Sequence, residues 1–240
     1  MIRLTVVELR KLSDTRAGLW LLILIGLGTA GTAAIQLGWS PDEELRFADF
    51  FAFGLLPPTV LLPVLGILSM TGEWSQRTAL TTFALTPARL RVIAAKVAAG
   101  VLVSAAATAA TLLLSAAANL IGAATGGDGG WHLAGTLIWQ GLLTELLFVL
   151  MGMGFGALLL SSPLAIVAYF SLPTLWGILA ETIRPLRAAG RWLNVGVTSE
   201  PLSSPHMTAG QYGHLAVSAL AWIALPLLLG GWRMFRKEVS

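Results

Sequence analysis

The chain has 240 residues, of which 56% are hydrophobic and 11% charged, less than half the roughly 25% charged residues of an ordinary soluble domain, so too little charge remains to coat a water-facing surface. Its net charge of +3 does not indicate a nucleic-acid partner, because the basic residues flank apolar runs instead of gathering on one aromatic-rich surface. The absence of cysteine excludes disulfides, a thiolate nucleophile and cysteine-held metals.

Residues 1–16 read as an amphipathic helix: at 100° per residue Ile2, Val6, Leu9 and Leu12 share one arc, with Arg3, Arg10, Lys11 and Asp14 opposite. Such a helix is expected to lie in the headgroup layer, its cations beside anionic lipid, either as a generic anchor or as an elbow bracing the first span. The run that follows has small residues near its end (Ala30, Ala33, Ala34). It is read as a retained span and not a cleaved signal, because the charged stretch ahead of it is long and further spans follow.

Six apolar runs are long enough to cross a hydrocarbon core at about 1.5 Å per residue: 17–37, 48–70, 92–121, 133–160, 163–180 and 215–232. The fifth is the shortest and has Pro163 at a first-turn position. All are apolar on every side, which fits helices and not the two-residue alternation of barrel strands. No internal repeat is evident, so residues 1–240 form a single all-α, polytopic membrane domain.

In the second run Pro57, Pro58 and Pro63 remove backbone donors and predict a kink or unwinding, as does Pro226 in the sixth. The connection 71–91 is the longest between spans on its side. Its segment 78–85 lacks Gly and Pro and can form a short exposed helix, which Pro87 stops at about Thr86; an exposed semi-apolar helix invites a partner. Farther on, Asn119, Gln140, Thr144 and Glu145 are polar groups within spans, which either line a substrate path or hydrogen-bond between helices. Gly152 and Gly156 allow another helix to approach the fourth span closely. The connection 181–214 carries Arg184, Arg187 and Arg191 at helical spacing with Trp192, as expected of an interfacial helix that meets lipid phosphates or an anionic substrate.

Basic residues resist translocation. An even number of spans puts Arg3, Arg10, Lys11, Arg16, Arg77, Arg89, Arg91, Lys96, Arg233, Arg236 and Lys237 on one side and only Arg46, Arg184, Arg187 and Arg191 on the other. Both termini and the 71–91 connection are therefore expected in the cytoplasm.

The run Glu73-Trp74 through Thr78, continuing to Thr86-Pro87-x-Arg89-x-Arg91 and Lys96, resembles the cytoplasmic loop of ABC-2 type transporter permeases. The Glu8-Leu9-Arg10-Lys11 start, the six-span layout and the ending Trp232-Arg233-Met234-Phe235-Arg236 resemble the same family, so the likeness covers most of the chain. Arg77 departs from it, since the family commonly has Gly before the loop threonine, while Thr78 is retained.

The resemblance implies two permease chains, identical or different, in a bacterial-type plasma membrane, with two cytoplasmic ATPase subunits that bind the ATP. The 78–85 helix would then be a coupling helix docking on an ATPase, with Glu73, Trp74, Arg77, Thr78, Pro87, Arg89 and Arg91 as coupling residues. It further implies export of a hydrophobic or amphiphilic compound such as a drug, antibiotic, peptide or lipid.

The chain has no G-x-x-x-x-G-K-[ST] loop, so it is not expected to bind ATP or any other cofactor itself. An intramembrane enzyme is disfavoured: His132, His206 and His214 fall at or beyond span ends, and neither H-E-x-x-H nor G-x-S-x-G occurs. A non-transporting sensor or scaffold would share the same anchors.

Overall fold

A computed structural model describes residues 1–75 and 89–236. The helices are α1 (Ile2–Asp14), α2 (Arg16–Trp39), α3 (Phe47–Gly54), α4 (Leu56–Ser75), α5 (Arg89–Ala124), α6 (Gly135–Leu159), α7 (Ser162–Thr182), α8 (Arg187–Leu193), α9 (Val195–Ser199), α10 (Ala209–Ala219) and α11 (Leu225–Arg236), with no strand among the described residues. Six stretches are long and apolar enough to cross a membrane: Arg16–Trp39, Phe47–Ser75, Leu90–Ala124, Gly135–Leu159, Ser162–Thr182 and Ala209–Met234. Each overlaps one of the six apolar runs.

Prolines shape two of these spans as expected. The second is interrupted between α3 and α4, because Pro58 has no N–H to offer the Gly54 carbonyl one turn earlier. Thr29 Oγ1 of α2 donates to that carbonyl instead, at 3.3 Å. In the sixth span a π turn over Leu220–Ala224 precedes α11, which accommodates Pro226 where it would otherwise crowd the Trp222 carbonyl. Pro163 lies in the first turn of α7.

The central helix is α6, buried at every position from Met151 to Ala157. Its glycines let neighbours in on two faces. A Cβ on Gly152 would lie 2.2 Å from the Pro63 carbonyl oxygen of α4, and one on Gly154 would lie 3.1 Å from Pro226 Cβ of α11. The close approach expected at Gly152 and Gly156 is thus made by α4. Beside this, α5 buries small and polar residues: between Gly100 and Ser115 its buried positions are Gly100, Ser104, Thr108, Thr111 and Ser115, while Val101, Leu102 and Leu113 are exposed. The third span therefore turns hydroxyls inward and aliphatic side chains outward, which is the arrangement suited to a lipid surround.

Two sequence-derived connections are corrected. The 71–91 connection is shorter, because Glu73 and Trp74 lie in the last turns of α4 and Arg89 and Arg91 begin α5. Residues 76–88, with Arg77, Thr78, Pro87 and the expected 78–85 helix, lie outside the described residues. The 181–214 connection also shortens: the sixth span starts at Ala209, where Thr208 and Gln211 form a reciprocal capping box. Within that connection the arginine-rich stretch forms a 3-10 turn, Arg184–Leu186, followed by α8.

Candidate functional site

A single residue, Thr15, separates α1 from α2, and its Oγ1 accepts from Gly18 N at 3.2 Å. The chain folds back so tightly that a Cβ on Gly18 would come within 1.8 Å of the Leu12 carbonyl oxygen, so the elbow requires glycine there. α1 is thereby laid against the ends of α4 and α5 that flank the 76–88 segment.

α1 meets these helices through only part of its apolar arc, with Glu8 beside it. Ile2 and Val6 are exposed, whereas Glu8 is buried and Leu12 is half-buried. Glu8 and Lys11, one turn apart, meet Glu73 of α4 and Lys96 of α5. Glu8 Oε2 receives Lys96 Nζ at 2.6 Å and Glu8 Oε1 receives Lys11 Nζ at 2.7 Å. Glu73 Oε1 receives Lys11 Nζ at 2.8 Å and Lys96 Nζ at 3.3 Å. The third proton of Lys96 goes to the Ser69 carbonyl at 2.8 Å.

Lys96, Glu8 and Glu73 are almost fully enclosed, while the Lys11 side chain is 41% exposed. Taking one such ion out of water costs several kcal/mol, and only close pairing with saturated hydrogen bonding offsets it. Two acids and two lysines in a closed ring supply the close pairing with no net charge, and of the four carboxylate oxygens only Glu73 Oε2 lacks a hydrogen-bond partner. Burial alone would lower the Lys11 pKa, but the hydrogen bonds to Glu73 and Glu8 outweigh it and hold the ammonium above its ordinary value. Trp74 and Leu12 pack on the apolar core beneath. Consequently α1, α4 and α5 are tied at one point, next to the two ends of the 76–88 segment.

Of the expected coupling residues, the structure thus brings Glu73 into the cluster and places Trp74 beneath it, while Arg91 is exposed on the first turn of α5. The signal for the other members was Lys96 itself, a cation inside the apolar run 92–121, where a charge calls for an acidic partner nearby. Nothing in the linear pattern said that this partner would be Glu8.

The four polar residues within spans do not converge on one opening. Asn119 Nδ2 donates to Gly129 O at 3.2 Å, steadying a junction where Asp128 N and Gly129 N donate to Asp42 O and Leu45 O at 2.9 and 3.0 Å and Arg46 pairs with Asp128. Thr144 Oγ1 donates to the Gln140 carbonyl of its own helix at 2.9 Å, and Gln140 is buried. Glu145 is fully buried, its Oε1 receiving Thr59 Oγ1 of α4 at 2.7 Å. For Thr144 and Glu145 the visible role is bonding within and between helices, and for Asn119 it is holding the connection that follows α5. Arg233 has a similar task, its Nη1 donating to the Leu158 carbonyl at the end of α6 at 2.5 Å.

In comparisons with known proteins, no family model and no curated sequence matches the chain.

Proposed function

We propose that the chain is the membrane-spanning permease subunit of an ATP-binding cassette exporter of the ABC-2 type. It would pair with a second permease chain, identical or different, in a bacterial-type plasma membrane, with both termini and the 76–88 segment in the cytoplasm. ATP is bound and hydrolysed by separate cytoplasmic subunits that grip that segment, and the cargo is a hydrophobic or amphiphilic compound. The family likeness on the residues quoted above supports this reading, as does the one-sided distribution of Lys and Arg.

The observation that carries the proposal is the Glu8–Lys11–Glu73–Lys96 cluster. A partner that displaces 76–88 pulls on the last turn of α4 and the first turn of α5, and the cluster passes that displacement to α1 and hence to α2. A bistable bundle moved from one point in this way can alternate between two arrangements.

The decisive experiment is co-expression with a candidate ABC ATPase subunit, then co-purification and ATP hydrolysis in vesicles against a compound panel. Stable association and compound-stimulated hydrolysis are expected. A chain that neither associates nor responds would be a sensor or scaffold, and cysteine labelling of 76–88 from the outer face would reverse the topology and remove the proposal.

A further inference from the structure

At the end of the bundle away from the Glu73 cluster, α4, α6, α7 and α9 enclose an open groove of about 450 Å³, within the range of about 300–1,000 Å³ typical of small-molecule sites. Its wall is largely apolar and aromatic, with Phe148, Met151, Tyr169 and Phe170 on it and the Thr59 hydroxyl side chain among them. The groove abuts a second hollow of about 590 Å³, and the two share Glu181 and Asn194. The second hollow differs in chemistry: Arg187 and Arg191 of α8 line it.

The polar groups at this junction are unevenly committed. Arg187 Nε donates to the Glu181 backbone carbonyl at 3.2 Å, and among the described residues neither Arg187 nor Arg191 is in an ion pair. Asn194 Oδ1 is used by Gly196 N at 3.1 Å. Its Nδ2 faces Gly177 on the groove wall and has no acceptor among the described residues. The Glu181 carboxylate is the opposing charge, one against two guanidiniums.

We propose that the paired hollows bind a single-chain amphiphile with an anionic head: the apolar chain lies along Phe148, Tyr169 and Phe170, and the head meets Arg187, Arg191 and the Asn194 amide. Charge complementarity selects this occupant, since an uncharged chain leaves both guanidiniums unused and a cationic head meets repulsion from them. As a statement about cargo this rests on the permease reading; as a binding site it stands without it.

The purified chain, with no ATPase present, is placed in phosphatidylcholine nanodiscs and titrated with dansyl-undecanoic acid and with its methyl ester. The acid is expected to bind saturably and about ten-fold or more tighter than the ester, the loss of one charge-assisted contact. The R187Q/R191Q double variant should bring acid and ester to equal affinity, E181Q should tighten the acid, and Gly177→Leu, which fills the wall, should weaken both probes. Equal binding of acid and ester, or an undiminished preference in the double variant, overturns the proposal. So does loss of acid binding in proportion to added phosphatidylglycerol, which makes the groove an annular lipid position. A change of oligomeric state in Gly177→Leu in place of an affinity change makes it a subunit contact and overturns the proposal equally. Acid binding by a chain that fails to associate with its ATPase keeps the groove and removes the permease reading, and the converse result removes only the groove.

Discussion

Glu73 and Glu145 are both carboxylates buried on membrane-length helices, and each has one oxygen without a hydrogen-bond partner, Glu73 Oε2 and Glu145 Oε2. Their surroundings differ. Glu73 faces two ammonium groups that arrive from α1 and α5, whereas Glu145 receives only the Thr59 hydroxyl from α4. The first is a charge held by charges and linked to three helices; the second is one hydrogen bond between two helices that already interlock through Gly152 and Pro63. What separates them is how many helices each acid ties together, three at Glu73 and two at Glu145.

Lys96→Met is expected to have the largest effect. It leaves Glu8 with Lys11 alone and removes a partner from Glu73, and stranding buried charge in this way costs about 3–5 kcal/mol. A large drop in the thermal unfolding midpoint in detergent is expected, and Lys96→Met combined with Glu8→Leu and Glu73→Leu should recover part of it. If the single variant melts like the native chain, the cluster is not a structural tie. Gly152→Leu comes next: its Cβ would sit 2.2 Å from the Pro63 carbonyl oxygen, and overpacking of this kind costs about 1–3 kcal/mol, read in the same assay. Gly18→Ala should behave alike by opening the elbow, and if α1 couples the bundle to its ATPase it should also uncouple ATP hydrolysis from transport.

Glu145→Gln sharpens the contrast from the other side. The glutamine carbonyl still accepts from Thr59, so a change within about 1 kcal/mol is expected. A loss as large as that of Lys96→Met would show that the two acids are not different in kind, and transport in vesicles unaffected by Glu145→Gln would end its candidacy as a path residue. The smallest effect concerns pH. Because the folded state holds the Lys11 pKa above its ordinary 10.5, its contribution to stability is fully present below that value and lost as pH rises through the folded-state pKa. The unfolding midpoint should therefore show no Lys11-dependent change between pH 7 and 9, and a fall above pH 10.5 that Lys11→Met abolishes.

Much of this was legible in the linear pattern. The six spans, the break just ahead of Pro57 and Pro58, the unwinding ahead of Pro226 and the close face at Gly152 and Gly156 all follow from apolar run length, a missing N–H or a missing side chain. The T-x-x-Q capping signal at Thr208 was equally present, though the hydropathy pattern alone placed the helix start later. The α1 docking face was legible only in part, because Leu12 of the apolar arc packs on the core while Ile2 and Val6 of the same arc are exposed and the polar contacts run through Glu8. Periodicity identifies an amphipathic helix but does not distinguish an apolar face left for lipid from one packed on protein.

The order, length and composition of the spans were determined by the sequence itself, since crossing a bilayer is a demand each segment meets through its own residues and its own backbone hydrogen bonds. Which charges would neutralise one another was decided only by the tertiary structure: Lys11 and Glu73 are 62 positions apart and Glu8 and Lys96 are 88 apart. Pairing at such distances depends on how helices are laid side by side, and Coulomb attraction acts on separation in space, to which separation along the chain is no guide.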